Sequence, residues 1–280
     1  MANRKIALLG AVGMLGTEVA ANLTQKGLAF DAFDLPGFDI ADSTQLQQVV
    51  ENSRIIINCA AYTDVEKAES QRDLAYRVNA EAVGRLGKFA KRADAYVIHI
   101  STDFVFDGSF NRPYAETDTP NPINIYGASK LVGEQLLRES SCLNCIIRTE
   151  WTYGLNGNNF IKKLIALARE NNKLKVVDDQ IGSPTAATEV ARVICELLAK
   201  IPQGLFHFAN AGYVSRFEMA KFIFEKLNMP VELISCKSQD FPSAAKRPLN
   251  SCFNCGRIAA LLGRPIEPWQ VPLEKFLKQL

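Results

Sequence analysis

The sequence predicts an α/β protein built on a doubly wound parallel sheet, with a smaller C-terminal cap beside it. Three observations carry that expectation: short continuous Val/Ile/Leu runs, amphipathic stretches between them, and a change of texture after Tyr213. Strands that are apolar throughout belong in parallel sheets, where helices cover both faces. Right-handed crossovers then wind those helices onto the two sides. In order, residues 5–10 read as the first strand and 14–26 as a helix stopped by Gly27. A second strand over 29–34 is followed by a polar helix over 42–52, a third strand over 55–59, and a long helix over 72–92. The fourth strand covers 96–101, a helix 126–139, and a fifth strand 144–149. Helices over 159–171 and 187–198 and strands over 174–177 and 204–209 complete the regular part. The tail carries the segment 242–250 and then Pro265, Pro268 and Pro272, which reads as a loop-rich cap. No internal repeat or flexible linker separates the parts.

Composition narrows the function classes. The 280 residues are 48% hydrophobic, enough for a sizeable core, and the formal net charge is only +2. Acids and bases are mixed along the chain, so there is no basic stripe for a nucleic acid and no cationic amphipathic segment for a membrane surface. No apolar run approaches the ~18 residues of a membrane-spanning helix. Asn3, Arg4 and Lys5 before an apolar run could pass for a signal peptide, but Gly10, Gly13 and Gly16 interrupt the run and Glu18 follows at once. A cytoplasmic location is expected.

The glycines are themselves a signal. Gly10, Gly13 and Gly16, with Met14 and Leu15 among them, lie directly after the first strand and open the first helix. Such a turn lets the backbone approach a pyrophosphate that rests on the helix N-terminus. Asp34, ending the second strand, can accept hydrogen bonds from adenosine ribose hydroxyls, which favours NAD over the 2′-phosphate of NADP. A Rossmann-type fold with a nicotinamide cofactor follows, NADH or NADPH. Residues 1–149 then form the dinucleotide-binding domain, with 172–209 completing its sheet, and 150–171 plus 210–280 form a substrate-binding cap.

The G-x-x-G-x-x-G spacing resembles the short-chain dehydrogenase/reductase superfamily. That resemblance implies a Tyr-x-x-x-Lys pair and a hydroxyl residue at the end of the fourth strand. Tyr126 and Lys130 stand one helical turn apart, and Ser101 and Thr102 end the fourth strand. A free phenol titrates near ~10; a neighbouring ammonium and the charge of an oxidised nicotinamide would favour its phenolate. In reduction, Tyr126 would give its proton to the developing alkoxide, Lys130 would also hold the nicotinamide ribose, and Thr102 would bond the reacting oxygen.

Longer segments resemble one family more closely, dTDP-4-dehydrorhamnose reductase. They are Ala60 to Glu69, Ser101 to Gly108, Tyr126 to Lys130, Arg148 to Gly154, Gly157 to Phe160, Asp179 to Thr185 and Arg247 to Ser251, in order along nearly the whole chain. The resemblance implies reduction of the 4-keto group of dTDP-4-dehydro-β-L-rhamnose to dTDP-L-rhamnose, for cell-surface polysaccharide synthesis. By position, Gly13, Met14 and Leu15 would cradle the pyrophosphate, Asp34, Asp39 and Ile40 would meet the adenosine, and Ala61, Tyr62 and Thr63 would line the cofactor. Thr102, Asp103 and Trp151 would contact the sugar. Arg247 is a candidate diphosphate clamp, since guanidinium matches phosphate geometry, although a rim salt bridge explains it equally. Met14 replaces a glutamine common in the family. Some members hold magnesium between subunits through glutamates; Glu18 matches one such position, but the full set cannot be placed. No metal ligands are therefore assigned, and magnesium and a homodimer stay open.

Other readings stay open at this stage. A reductase or epimerase of another nucleotide sugar would share the Tyr/Lys pair, and a non-catalytic regulatory subunit of methionine adenosyltransferase resembles the same family. Seven scattered cysteines argue against a disulfide framework. The pairs Cys142/Cys145 and Cys252/Cys255 have zinc-like spacing but read as small buried hydrophobes. His99 and His207 fall inside strand-like runs and read as core.

Overall fold

A computed structural model describes residues 5–241 and 243–280. Asn3 and Arg4 of the charged start, and Pro242, lie outside the described residues. The first half alternates as the apolar pattern demands: β1 Ile6–Leu9, α1 Met14–Gln25, β2 Phe30–Phe33, α2 Ser43–Glu51 and β3 Ile55–Asn58. Two short helices, α3 Val65–Ala68 and α4 Arg72–Tyr76, precede α5 Ala82–Ala93. Then come β4 Tyr96–Thr102, α6 Ile125–Glu139 and β5 Asn144–Thr149. The long helix expected over 72–92 is thus α4 and α5 joined through a π-helical turn, Arg77–Glu81. A 3.6-residue period cannot register one wider turn, and such turns cluster at functional sites.

The six-stranded sheet has the order Gly204–Phe208, β5, β4, β3, β1, β2, and every pairing in it is parallel. From β1 the chain steps outward to β2 and then back across to β3. The switch point therefore lies between β1 and β3, and ligands bind beyond the C-terminal ends of strands at such a point.

Alternate residues of each strand enter opposite layers. Ile6, Leu8, Ile55, Ile57, Ile98 and Ile147 pack on Val19 and Leu23 of α1 and on Val190 and Ile194 of the helix Ala187–Lys200. Ala7, Leu9, Ile56, Val97 and Ile146 pack on Leu46 and Val50 of α2, Val83 and Leu86 of α5, and Leu137 of α6. Most of these side chains are wholly buried; at ~1.5–3 kcal/mol each, their burial is the dominant stabilising term.

A third apolar cluster belongs to the later chain, with Ile161, Leu164, Met219, Phe224, Trp269, Leu273 and Phe276. The strand expected at 174–177, and assigned to the main sheet, is Lys173–Val177, and it pairs in parallel with Glu232–Cys236 in a separate two-stranded sheet. Its alternating exposed residues suit a surface ribbon rather than a sheet covered on both faces.

Candidate active site

The glycine turn caps the end of β1. Gly10 sits at φ +76°, in the left-handed region, and a Cβ on Gly16 would lie 1.9 Å from the Gly10 carbonyl oxygen. Only glycine permits that close packing of α1 on the turn. Asp34 ends β2 as expected, and its carboxylate accepts the N–H groups of Val12 and Leu35, both at 2.8 Å. Those bonds fix the carboxylate at the rim and leave lone pairs for further donors. A cavity of about 760 Å³ runs from this turn to the far end of β4 and β5. Gly10, Gly13, Met14, Leu15, Gly16, Asp34, Asp39, Ile40, Ala61, Tyr62 and Thr63 all line it. A bare glycine turn at a helix N-terminus, followed by a carboxylate at the second strand's end, suits a nicotinamide dinucleotide.

Thr102, Asp103, Tyr126, Lys130 and Trp151 line the same cavity. Asn124 caps α6 by accepting from the Gly127 N–H at 2.7 Å, and Glu69 accepts from the Ile125 N–H at 2.8 Å. A Cβ on Gly127 would lie 2.0 Å from the Phe104 carbonyl oxygen, so the helix start presses directly on the segment after β4. That contact brings Tyr126 to Thr102, while Phe104 meets the Tyr126 ring edge-on at 5.6 Å. Lys130 is buried, and its Nζ donates to the Ile100 carbonyl at 2.6 Å.

Charge is handled differently from the sequence expectation. Burial pushes the Tyr126 phenol up to about 12, and a hydrogen-bonding influence from Thr102 opposes it only in part. The neighbouring ammonium does not bring the phenol down. Burial instead draws Lys130 down to about 8, against the pull of Glu134. Without bound ligands, the phenol is therefore protonated at neutral pH, which is the form a proton donor needs.

Asn79, in the π-helical turn, was missed by sequence reading. It accepts from the Tyr62 N–H at 2.8 Å and donates to the Tyr62 carbonyl and the Ser129 hydroxyl, each at 3.0 Å. The loop after β3 is thereby tied to the helix that carries Tyr126 and Lys130. Beneath Lys130, Glu134 and Arg148 form a fully buried pair with two bonds of 2.8 and 2.6 Å. His207 approaches that guanidinium at 3.4 Å and the Tyr114 carbonyl at 3.0 Å. His99 meets Asn58 at 3.0 Å. Both histidines are buried and held well below their ordinary range, mainly by that burial.

At the far end, Asp103 accepts from Thr102 at 3.0 Å and Ser251 at 2.5 Å, and burial raises its carboxyl to about 6. Glu150 accepts from the backbone N–H groups of Ser183 and Phe253 and is pushed well above the usual carboxylate range, chiefly by burial. Trp151 holds φ +44°, uncommon for so large a side chain. Arg216 lines the cavity here, whereas Arg247 is bound to Glu66 at 2.5 Å and is not among the lining residues. Glu150 and Ser251 fall in segments the sequence had flagged; Arg216 carried no such signal. Glu18 is half-buried on α1, and among the described residues no three His, Cys, Asp or Glu side chains are grouped to hold a metal. All seven cysteines are free thiols.

A parallel sheet with its glycine turn at the switch point and a Thr/Tyr/Lys group at the end of β4 defines a nicotinamide-dependent oxidoreductase of the short-chain dehydrogenase/reductase class. The family described as RmlD substrate binding domain matches residues 4–280, and the chain belongs to that family. The chain is similar to dTDP-4-dehydrorhamnose reductase of Aggregatibacter actinomycetemcomitans, 36% identical over 97% of this chain and 98% of that protein. Among solved structures, the dTDP-4-dehydrorhamnose reductase of Bacillus anthracis in complex with NADP is 39% identical with a TM-score of 0.94, covering 99% of this chain and all of that one. That of Clostridium acetobutylicum is 34% identical with the same TM-score, covering 98% and 99%.

Proposed function

We propose that the protein reduces the 4-keto group of dTDP-4-dehydro-β-L-rhamnose to give dTDP-L-rhamnose, for polysaccharide synthesis. The observation that carries this reading is the convergence of Thr102, Tyr126 and Lys130 on the cavity that begins at the glycine turn. The nicotinamide cofactor supplies the hydride. Tyr126 gives the proton: its phenol, kept protonated by burial, faces the cavity where the new alkoxide would form. Thr102 supports the reacting oxygen, and Lys130, anchored at Ile100, keeps an ammonium beside the phenol and the nicotinamide ribose. Asp103 and Trp151 bound the sugar, the indole offering an apolar face to the ring. The Gly10–Gly16 turn and Asp34 hold the two ends of the adenosine diphosphate.

The cap, residues 150–171 and 210–280 with the strand Lys173–Val177, closes over the sugar and has an apolar cluster of its own. A cytoplasmic location accompanies this reading, and among the described residues no helix is long and apolar enough to cross a membrane. The test is incubation of purified protein with dTDP-4-dehydro-L-rhamnose and NADH or NADPH, with the product identified by NMR. Formation of dTDP-L-rhamnose in step with cofactor oxidation is expected. Oxidation with a different keto sugar, and none with this one, would move the assignment to a sister enzyme.

A further inference from the structure

We infer that Arg216 is the anion-binding residue of the substrate pocket, a guanidinium held ready for the diphosphate of a nucleotide sugar. It is the first residue of the helix Arg216–Lys226, and its backbone N–H donates to the Gln180 carbonyl at 3.2 Å. The side chain reaches the cavity that holds Tyr126 and lies over the Trp151 ring, 3.5 Å from its centroid, and 4.6 Å from that of Phe160. Contact with aromatic faces leaves the in-plane N–H edge as the part able to meet a ligand.

A purely structural role would have Arg216 pair directly with Asp103 and Glu150, the two buried acids that favour its charge, but both bind other donors and neither forms an ion pair with it. Asp103 receives Thr102 on one oxygen and Ser251 on the other; Glu150 receives Phe253 N–H and Ser183 N–H in the same way. Among the described residues, no carboxylate oxygen lies within 4.0 Å of the Arg216 guanidinium, and its N–H groups have no hydrogen-bond partner. Arg247, by contrast, is already engaged by Glu66 and by the Ala245 carbonyl.

A half-buried cation without a partner is costly, and burial draws Arg216 down to about 9 despite the nearby Asp103 and Glu150. An anion with paired oxygens removes that cost. A forked guanidinium matches phosphate geometry, and charge-assisted bonds of this kind are the strong ones. The identity of the anion rests on the nucleotide-sugar reading above. Arg247, a candidate clamp that a rim salt bridge explained equally, makes that salt bridge to Glu66, and Arg216 is the guanidinium that lines the pocket.

The experiment is calorimetric binding of dTDP and of thymidine to protein saturated with oxidised cofactor, for wild type, Arg216→Gln and Arg216→Lys. The Gln variant should bind dTDP about 10- to 100-fold more weakly, the Lys variant less so, with thymidine and cofactor affinities unchanged. Unchanged cofactor affinity in the variants shows that they fold. Wild-type dTDP affinity in Arg216→Gln would overturn the inference, as would an equal loss for thymidine and dTDP. A wild-type protein that binds neither ligand would instead bring down the nucleotide-sugar reading itself.

Discussion

Lys130 gives a prediction whose size follows from its surroundings. Its ammonium is buried with one hydrogen bond, to Ile100, and burial lowers it from its ordinary 10.5 to about 8. That lowering corresponds to about 3 kcal/mol of cost for holding the charge there. In the free enzyme, about nine in ten molecules carry the ammonium at pH 7 and about one in ten at pH 9. If the charge at Lys130 is required, kcat/KM for the cofactor falls about tenfold over that interval. Tyr126, pushed up to about 12, stays protonated throughout and contributes nothing to the fall.

The same shift predicts the pH dependence of stability. Between about pH 8 and 10.5 the unfolded chain keeps a proton that the folded one has lost, so stability rises with pH through that window. The assay is initial-rate kinetics from pH 6 to 10, with urea unfolding of wild type and Lys130→Met beside it. The variant should lack the alkaline rise in stability. An activity limb near pH 10, or none, would refute the reasoning, because burial would then not govern Lys130.

Three further perturbations follow from the packing. Gly16→Ala puts a methyl 1.9 Å from the Gly10 carbonyl oxygen; NADH affinity should fall at least about tenfold, as fluorescence titration would show. Arg148→Met leaves Glu134 charged and unpaired in the core and should destabilise by about 3–5 kcal/mol, whereas the double variant Glu134→Leu/Arg148→Met should recover most of that in urea unfolding. Asp103, raised from 3.8 to about 6, favours the folded state most below pH 4 and loses that contribution as pH rises to 6. Asp103→Asn should remove that decline, of about 3 kcal/mol, in thermal unfolding across pH 4–7.

Much of this was legible because the signals were local. A glycine turn between an apolar strand and a helix, or a Tyr and Lys one turn apart, is written in adjacent residues. Partnership between distant segments is not. Leu174 to Val177 read as a sheet strand because a short apolar run looks the same wherever it pairs, and only the fold shows it beside Glu232–Cys236. The role of Asn79 depends on a π-helical turn that hydrophobic periodicity cannot register. Burial and the nearby Asp103 raise the phenol, a cost that no run of adjacent residues announces. Arg216 follows an ordinary Ser cap, and nothing in that pattern announces an indole beneath it.

The most direct test of the whole account is cofactor oxidation with dTDP-4-dehydro-L-rhamnose by wild type beside Tyr126→Phe. Loss of the only proton donor assigned should cost about 10²–10⁴ in kcat while NADH binding is retained. Near-normal turnover by Tyr126→Phe would contradict it.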